Sequence, residues 1–117
     1  MAVSDLKQAL EQAEQQRVQG RYQEAMPLYE QVLQGEPTNL RARLGVAHCL
    51  LNTGEFELGL QHFRQAAVDH PNSVEARLLH AKMLLMLDRT DEGKAELQKV
   101  LELDPDNAEG KRYLAYL

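Results

Sequence analysis

The chain has 117 residues, of which 44% are hydrophobic and 26% charged, with a net charge of -5 and no tryptophan. That is enough for about one domain with an aliphatic core, and the acidic balance gives no general attraction to nucleic acid or anionic membranes. A lone cysteine, Cys49, a start (MAVSDLKQ) without the apolar core of a signal, and the lack of any long apolar run lead to the expectation of a soluble, cytoplasmic protein.

Residues Asp5 to Gln19 read as a glutamine-rich helix whose apolar residues Leu6, Ala9, Leu10 and Ala13 form one stripe at three-to-four spacing. Asp5 is its expected N-cap and Gly20 its stop. A second helix, Tyr22 to Leu33, turns Ala25, Leu28, Tyr29, Val32 and Leu33 inward. It contains Pro27, which removes one backbone hydrogen bond and is expected to bend the helix. The plan recurs with helices Asn39 to Asn52 and Phe56 to Val68 around Gly54, then Ser73 to Leu87 and Asp91 to Leu103 around Asp88, a residue type that tolerates a left-handed turn. Asn107 to Tyr116 begins one more helix. Gly59 and Gly93 occupy the column of Ala25 in mid-helix, where glycine costs about 1 kcal/mol relative to alanine, so a packing reason is expected.

These elements fall into register at 34 residues: Pro37, Pro71 and Pro105; Ala13, Ala47, Ala81 and Ala115; Leu10, Leu44 and Leu78; and the caps Asp5, Asn39, Ser73 and Asn107. The chain is therefore expected to be an all-α solenoid of antiparallel helix pairs in a single domain, residues 1–117, that acts by presenting a surface to another protein. Its repeats run over residues 6–39, 40–73 and 74–107, followed by a terminal helix over 108–117.

Within that register Ala13, Gly20, Tyr22, Ala25, Tyr29, Val32 and Pro37 form one set, and Ala47, Gly54, Phe56, Gly59, Phe63, Ala66 and Pro71 a second. Ala81, Gly93, Val100 and Pro105 form a third, which departs at Thr90, Leu97 and Asp88. The pattern resembles the tetratricopeptide repeat, although the tryptophan usual at the fourth position is replaced by Ala9, Arg43 and Arg77.

The resemblance implies a right-handed superhelix whose first helices line a concave groove for a peptide or a partner's helix. The residues it places there are Lys7, Leu10, Glu14 and Arg17; Arg41, Leu44, His48 and Leu51; Glu75, Leu78, Lys82 and Leu85; with Glu109, Arg112 and Tyr116 in the final helix. The inward stripe is already filled by Ala47, Leu50, Ala81 and Leu84, so Leu44 and Leu78 are read as open surface that tolerates glutamate. Members of the family that grip the terminal carboxylate of heat-shock chaperones use lysine, asparagine and arginine in these helices. Here Leu10, Glu14, Gly45, Glu75 and Leu79 stand in those places, so chaperone-tail binding is not expected.

His48, His62, His70 and His80, with Cys49, lack the spacing of a helical zinc site, so no metal or cofactor is expected. His48 reads as a polar group of the groove and Cys49 as a small buried hydrophobe. The chain has only two serines, Ser4 and Ser73, no glycine-rich phosphate loop, and carboxylates that read as mostly solvent-facing, so no catalytic residue is assigned and an enzyme is not expected. Besides an adaptor that binds a partner protein, the sequence leaves open a self-assembling protein, a weak homodimer formed through Tyr113, Leu114, Tyr116 and Leu117.

Overall fold

A computed structural model describes residues 3–117. Seven helices make up the regular structure of these residues: α1 (Val3–Val18), α2 (Tyr22–Gly35), α3 (Leu40–Asn52), α4 (Phe56–Asp69), α5 (Val74–Met86), α6 (Thr90–Leu103) and α7 (Ala108–Ala115). Every end lies within two residues of the expectation. One cap differs. α1 begins at Val3, so Asp5 stands inside its first turn, where its negative charge still meets the positive end of the helix.

The helix ends follow from local chemistry. Asn39, Ser73 and Asn107 each accept a hydrogen bond from the backbone N–H three residues on, at 2.9, 3.1 and 2.8 Å. At the turns within the pairs, Gly20, Gly54 and Asp88 have φ of 79°, 86° and 60°. The next residue donates back across the turn, Arg21 to the Gln16 carbonyl, Glu55 to Leu50 and Arg89 to Leu84, at 2.8 to 2.9 Å. This is the Schellman arrangement, and the aspartate accomplishes in the third pair what glycine does in the first two. α2 runs through Pro27 without a break.

The chain divides into two compact units, Met1–His62 and Phe63–Leu117. In the first, α1, α2 and α3 enclose Ala9, Ala13, Ala25, Tyr29, Val32, Ala42, Val46, Cys49 and Leu50. Alanines at the facing positions allow close approach of the helices, and Tyr29 fills the space between them. Gly45 makes this possible, since a Cβ there would stand 2.2 Å from the Tyr29 Cζ. Cys49 is fully buried as expected, and burial pushes its thiol up to about 11. In the second unit α5 and α6 bury Ala76, Ala81, Met83, Leu84, Leu97 and Val100. The packing reason expected for mid-helix glycine holds at Gly93, where a Cβ would come within 2.7 Å of Leu85. At Gly59 a Cβ would meet ordinary contacts, 3.4 Å at the closest, so that position has room for the alanine found at residue 25.

Candidate functional site

Both units present first-helix faces, and the two are built differently. In the first unit, Leu10 of α1 is half-buried against the core and borders a cleft of about 460 Å³. Glu11, Glu14, Gln15 and the exposed Arg41 of α3 complete its lining. Leu10, Glu14 and Arg41 were expected there. Glu11 and Gln15 were not, although both continue from Lys7 at steps of four, the spacing that puts side chains in one row. Lys7 is exposed outside this lining, and His48 and Leu51 are half-buried outside it.

Arg17 is turned to a structural task. Its Nη2 lies 2.6 Å from Glu14 Oε2, and its Nε donates to the Tyr29 hydroxyl at 2.9 Å. Burial pushes the Tyr29 phenol up to about 12, so it stays neutral and accepts this bond across the physiological range. Leu44 departs from expectation more sharply. It is 2% exposed, so its side chain belongs to the core rather than to an open surface, and glutamate there would bury a charge.

In the second unit Leu78 is half-buried and Glu75 exposed. Lys82 reaches across to Glu109 of α7, 3.2 Å away, which ties together the faces of α5 and α7. Leu85 is half-buried, and its side chain occupies the space over Gly93. The Arg112 guanidinium carbon lies 5.8 Å from the Tyr113 ring centroid. Tyr113 and Leu114 are half-buried, whereas Tyr116 and Leu117 are 85% and 44% exposed.

The arginines that replace the family tryptophan have a common role within each unit. Arg43 donates to the Pro37 carbonyl at 3.2 Å and through Nη1 to His62 Nδ1 at 3.1 Å. Arg77 donates to the Pro71 carbonyl and pairs with Glu96, the residue 34 positions after His62. Each staples the turn between repeats to its own helix pair. Burial and the Arg43 charge both lower the His62 pKa, which keeps the ring neutral and able to accept at Nδ1. Glu96 is an exception to the mostly solvent-facing carboxylates: it is 8% exposed and also meets His80 Nδ1 at 2.9 Å. His70 is half-buried.

Residues 18–100 match the family model described as anaphase-promoting complex, cyclosome, subunit 3. Among curated proteins, the chain is 33% identical over 91 residues to Protein CTR9 homolog of Arabidopsis thaliana, covering 77% of this chain and 8% of that protein. It is 36% identical over 62 residues to aryl-hydrocarbon-interacting protein-like 1 of Mus musculus, covering 53% of this chain and 19% of that protein. The chain thus spans less than a fifth of the length of these relatives. Of solved structures, the first TPR of Spaghetti (RPAP3) bound to HSP90 peptide SRMEEVD superposes with a TM-score of 0.88 at 21% identity, over 99% of this chain and 92% of that one. The Yersinia enterocolitica type III secretion chaperone SycD in complex with a peptide of the translocator YopD gives 0.83 at 21%, over 98% and 88%. At such identities the likeness is one of fold.

Proposed function

The chain belongs to the tetratricopeptide-repeat family whose model, that of anaphase-promoting complex, cyclosome, subunit 3, it matches, and we propose from this membership that it is a protein-interaction module binding a peptide or helix of a partner. The observation that supports this reading is the cleft of the first unit, whose lining combines the half-buried Leu10 with Glu11, Glu14 and Arg41. A lining of one apolar side chain among charged ones suits one anchoring side chain of an amphipathic segment, the helix-in-groove or extended-peptide mode. The solved relatives hold peptides of HSP90 and of YopD. An acidic tail of the SRMEEVD kind would meet two carboxylates here, so we assign this chain a different partner. Neither catalysis nor a cofactor is part of this reading.

Gln15→Trp, which fills the cleft from an exposed helical position, combined with Arg41→Glu, is expected to lower affinity for the partner segment about tenfold or more. Stability should change by less than about 1 kcal/mol, because both positions are exposed. Affinity capture from the source cells with both proteins in parallel provides the measurement. Equal recovery of the same partner by both would refute the assignment of this face.

A second reading, weak self-association, has its own supporting observation in the exposure of Tyr116 and Leu117. Burying such side chains contributes roughly 1.5 to 3 kcal/mol each, before the cost of association is deducted. Sedimentation equilibrium is expected to show a dimer at high micromolar concentration that Tyr116→Ser with Leu117→Ser abolishes. A wild-type monomer at those concentrations sinks this reading.

A further inference from the structure

Pro27 is exposed at the sixth position of α2, where the chain closes one more turn without the N–H that would bond the Gln23 carbonyl. An acceptor is thereby left without its helical donor. Gln23 and Pro27 both border a cleft of about 300 Å³ between α2 and the C-terminal end of α3. Tyr22, Met26 and Leu50 give this cleft apolar walls, and the exposed Glu30 and Glu55 bring two carboxylates. Neither lysine nor arginine is among its lining residues. Thr53 also borders it, but its hydroxyl lies 3.0 Å from the Cys49 carbonyl and 3.2 Å from that of Leu50, and donates inward. A second cleft of about 330 Å³ shares Tyr22, Gln23 and Thr53 and extends the depression toward the Gly20 turn, where Arg21 and Glu24 bring one charge of each sign.

We propose that this cleft binds an arginine side chain presented by a segment of a partner protein, at a site separate from the first-helix face. The chemistry matches in three respects. A guanidinium carries five donors in a rigid plane, which suits a cleft whose lining includes Gln23, with its freed carbonyl, and the carboxylates of Glu30 and Glu55. Its aliphatic stem suits the Met26 and Leu50 walls, and the Tyr22 ring offers the cation a π face. The chain's net charge of -5 favours approach of a basic segment. The adjoining cleft gives room for residues flanking the arginine. No residue is common to this site and the cleft bordered by Leu10, so the inference stands independently of the function proposed above.

The test uses acetyl-Leu-Arg-Leu-amide and the same peptide with citrulline, the neutral isostere of arginine, titrated into the isotopically labelled 117-residue chain. Amide resonances of Gln23, Met26, Thr53 and Glu55 are expected to shift, with the citrulline peptide binding about tenfold more weakly. Glu30→Gln with Glu55→Gln should weaken the arginine peptide by a similar factor at an unchanged thermal midpoint. Pro27→Ala restores the donor to the Gln23 carbonyl, so it should raise the thermal midpoint while weakening the peptide severalfold. Equal binding of the two peptides, shifts confined to the Leu10 face, or undiminished affinity in either variant would each overturn the proposal.

Discussion

Tyr29→Ala is expected to destabilise the protein by about 4 kcal/mol, because it removes a fully buried aromatic ring. The ring is fully buried in the core of the first unit, and the four alanines of that core, Ala9, Ala13, Ala25 and Ala42, are too short to fill the cavity left behind. A domain of this size has a total stability near the lower end of about 5 to 15 kcal/mol, so most of it would be lost. Tyr29→Phe separates the hydroxyl from the ring and should cost only about 1 kcal/mol, since Arg17 loses one acceptor but keeps Glu14. The partner of the ring is Gly45. Gly45→Ala gains about 1 kcal/mol of helix propensity but places a methyl 2.2 Å from a ring carbon that has nowhere to retreat. Overpacking of that kind costs about 1 to 3 kcal/mol, so a net loss is expected. In the Tyr29→Ala background the clash is gone and the same substitution should become favourable. Urea denaturation of the four proteins measures the coupling, and additive losses would show that the glycine does not exist to accommodate the ring.

Glycine 45 is also a measure of how much the sequence discloses. The alanine columns, the turn glycines and the three side-chain caps each depend on one helix or one turn, and local chemistry of that kind is readable from residue type and spacing. Asp88 could be recognised as a turn residue because its position in the repeat says what φ is required. Leu44 and Leu78 illustrate the limit. They share a column at 34 residues, yet one is 2% exposed and the other half-buried. A column fixes the direction of a side chain around its helix, not what covers it, and coverage depends on the sizes of neighbours far along the chain.

The arginine staples were hidden for another reason. Arg43 and Arg77 depart from the family tryptophan, but a departure does not say what the new residue grips. A signal was present in the constant separation of 19 residues from Arg43 to His62 and from Arg77 to Glu96, polar pairs opposite each other in both repeats. The candidate cleft was legible in part for the same reason. Leu10, Glu14 and Arg41 could be placed by repeat position, whereas the commitment of Arg17 to Tyr29 depends on the depth of the ring, which no spacing conveys.

Glu96→Gln is expected to cost about 3 kcal/mol at pH 7, because it leaves Arg77 and His80 facing a neutral group in a site from which water is largely excluded. Burial alone would raise the Glu96 pKa. The hydrogen bonds from His80 and Arg77 and their charges outweigh it, and bring the carboxyl down to about 2 from an ordinary value of 4.5. The direction of this shift determines the pH dependence. A carboxyl whose folded pKa is depressed stabilises the fold fully above its unfolded value, and that stabilisation is lost as pH falls from about 4.5 through about 2. Wild type should therefore lose stability over this window more steeply than the glutamine variant, whose side chain has no proton to take up. Urea midpoints of the two proteins, well separated at pH 7, should draw together as the pH is lowered toward 2. If the separation stayed constant over the whole range, Glu96 would not be held ionised by Arg77 and His80, and the staple in the second unit would be a contact of shape rather than of charge.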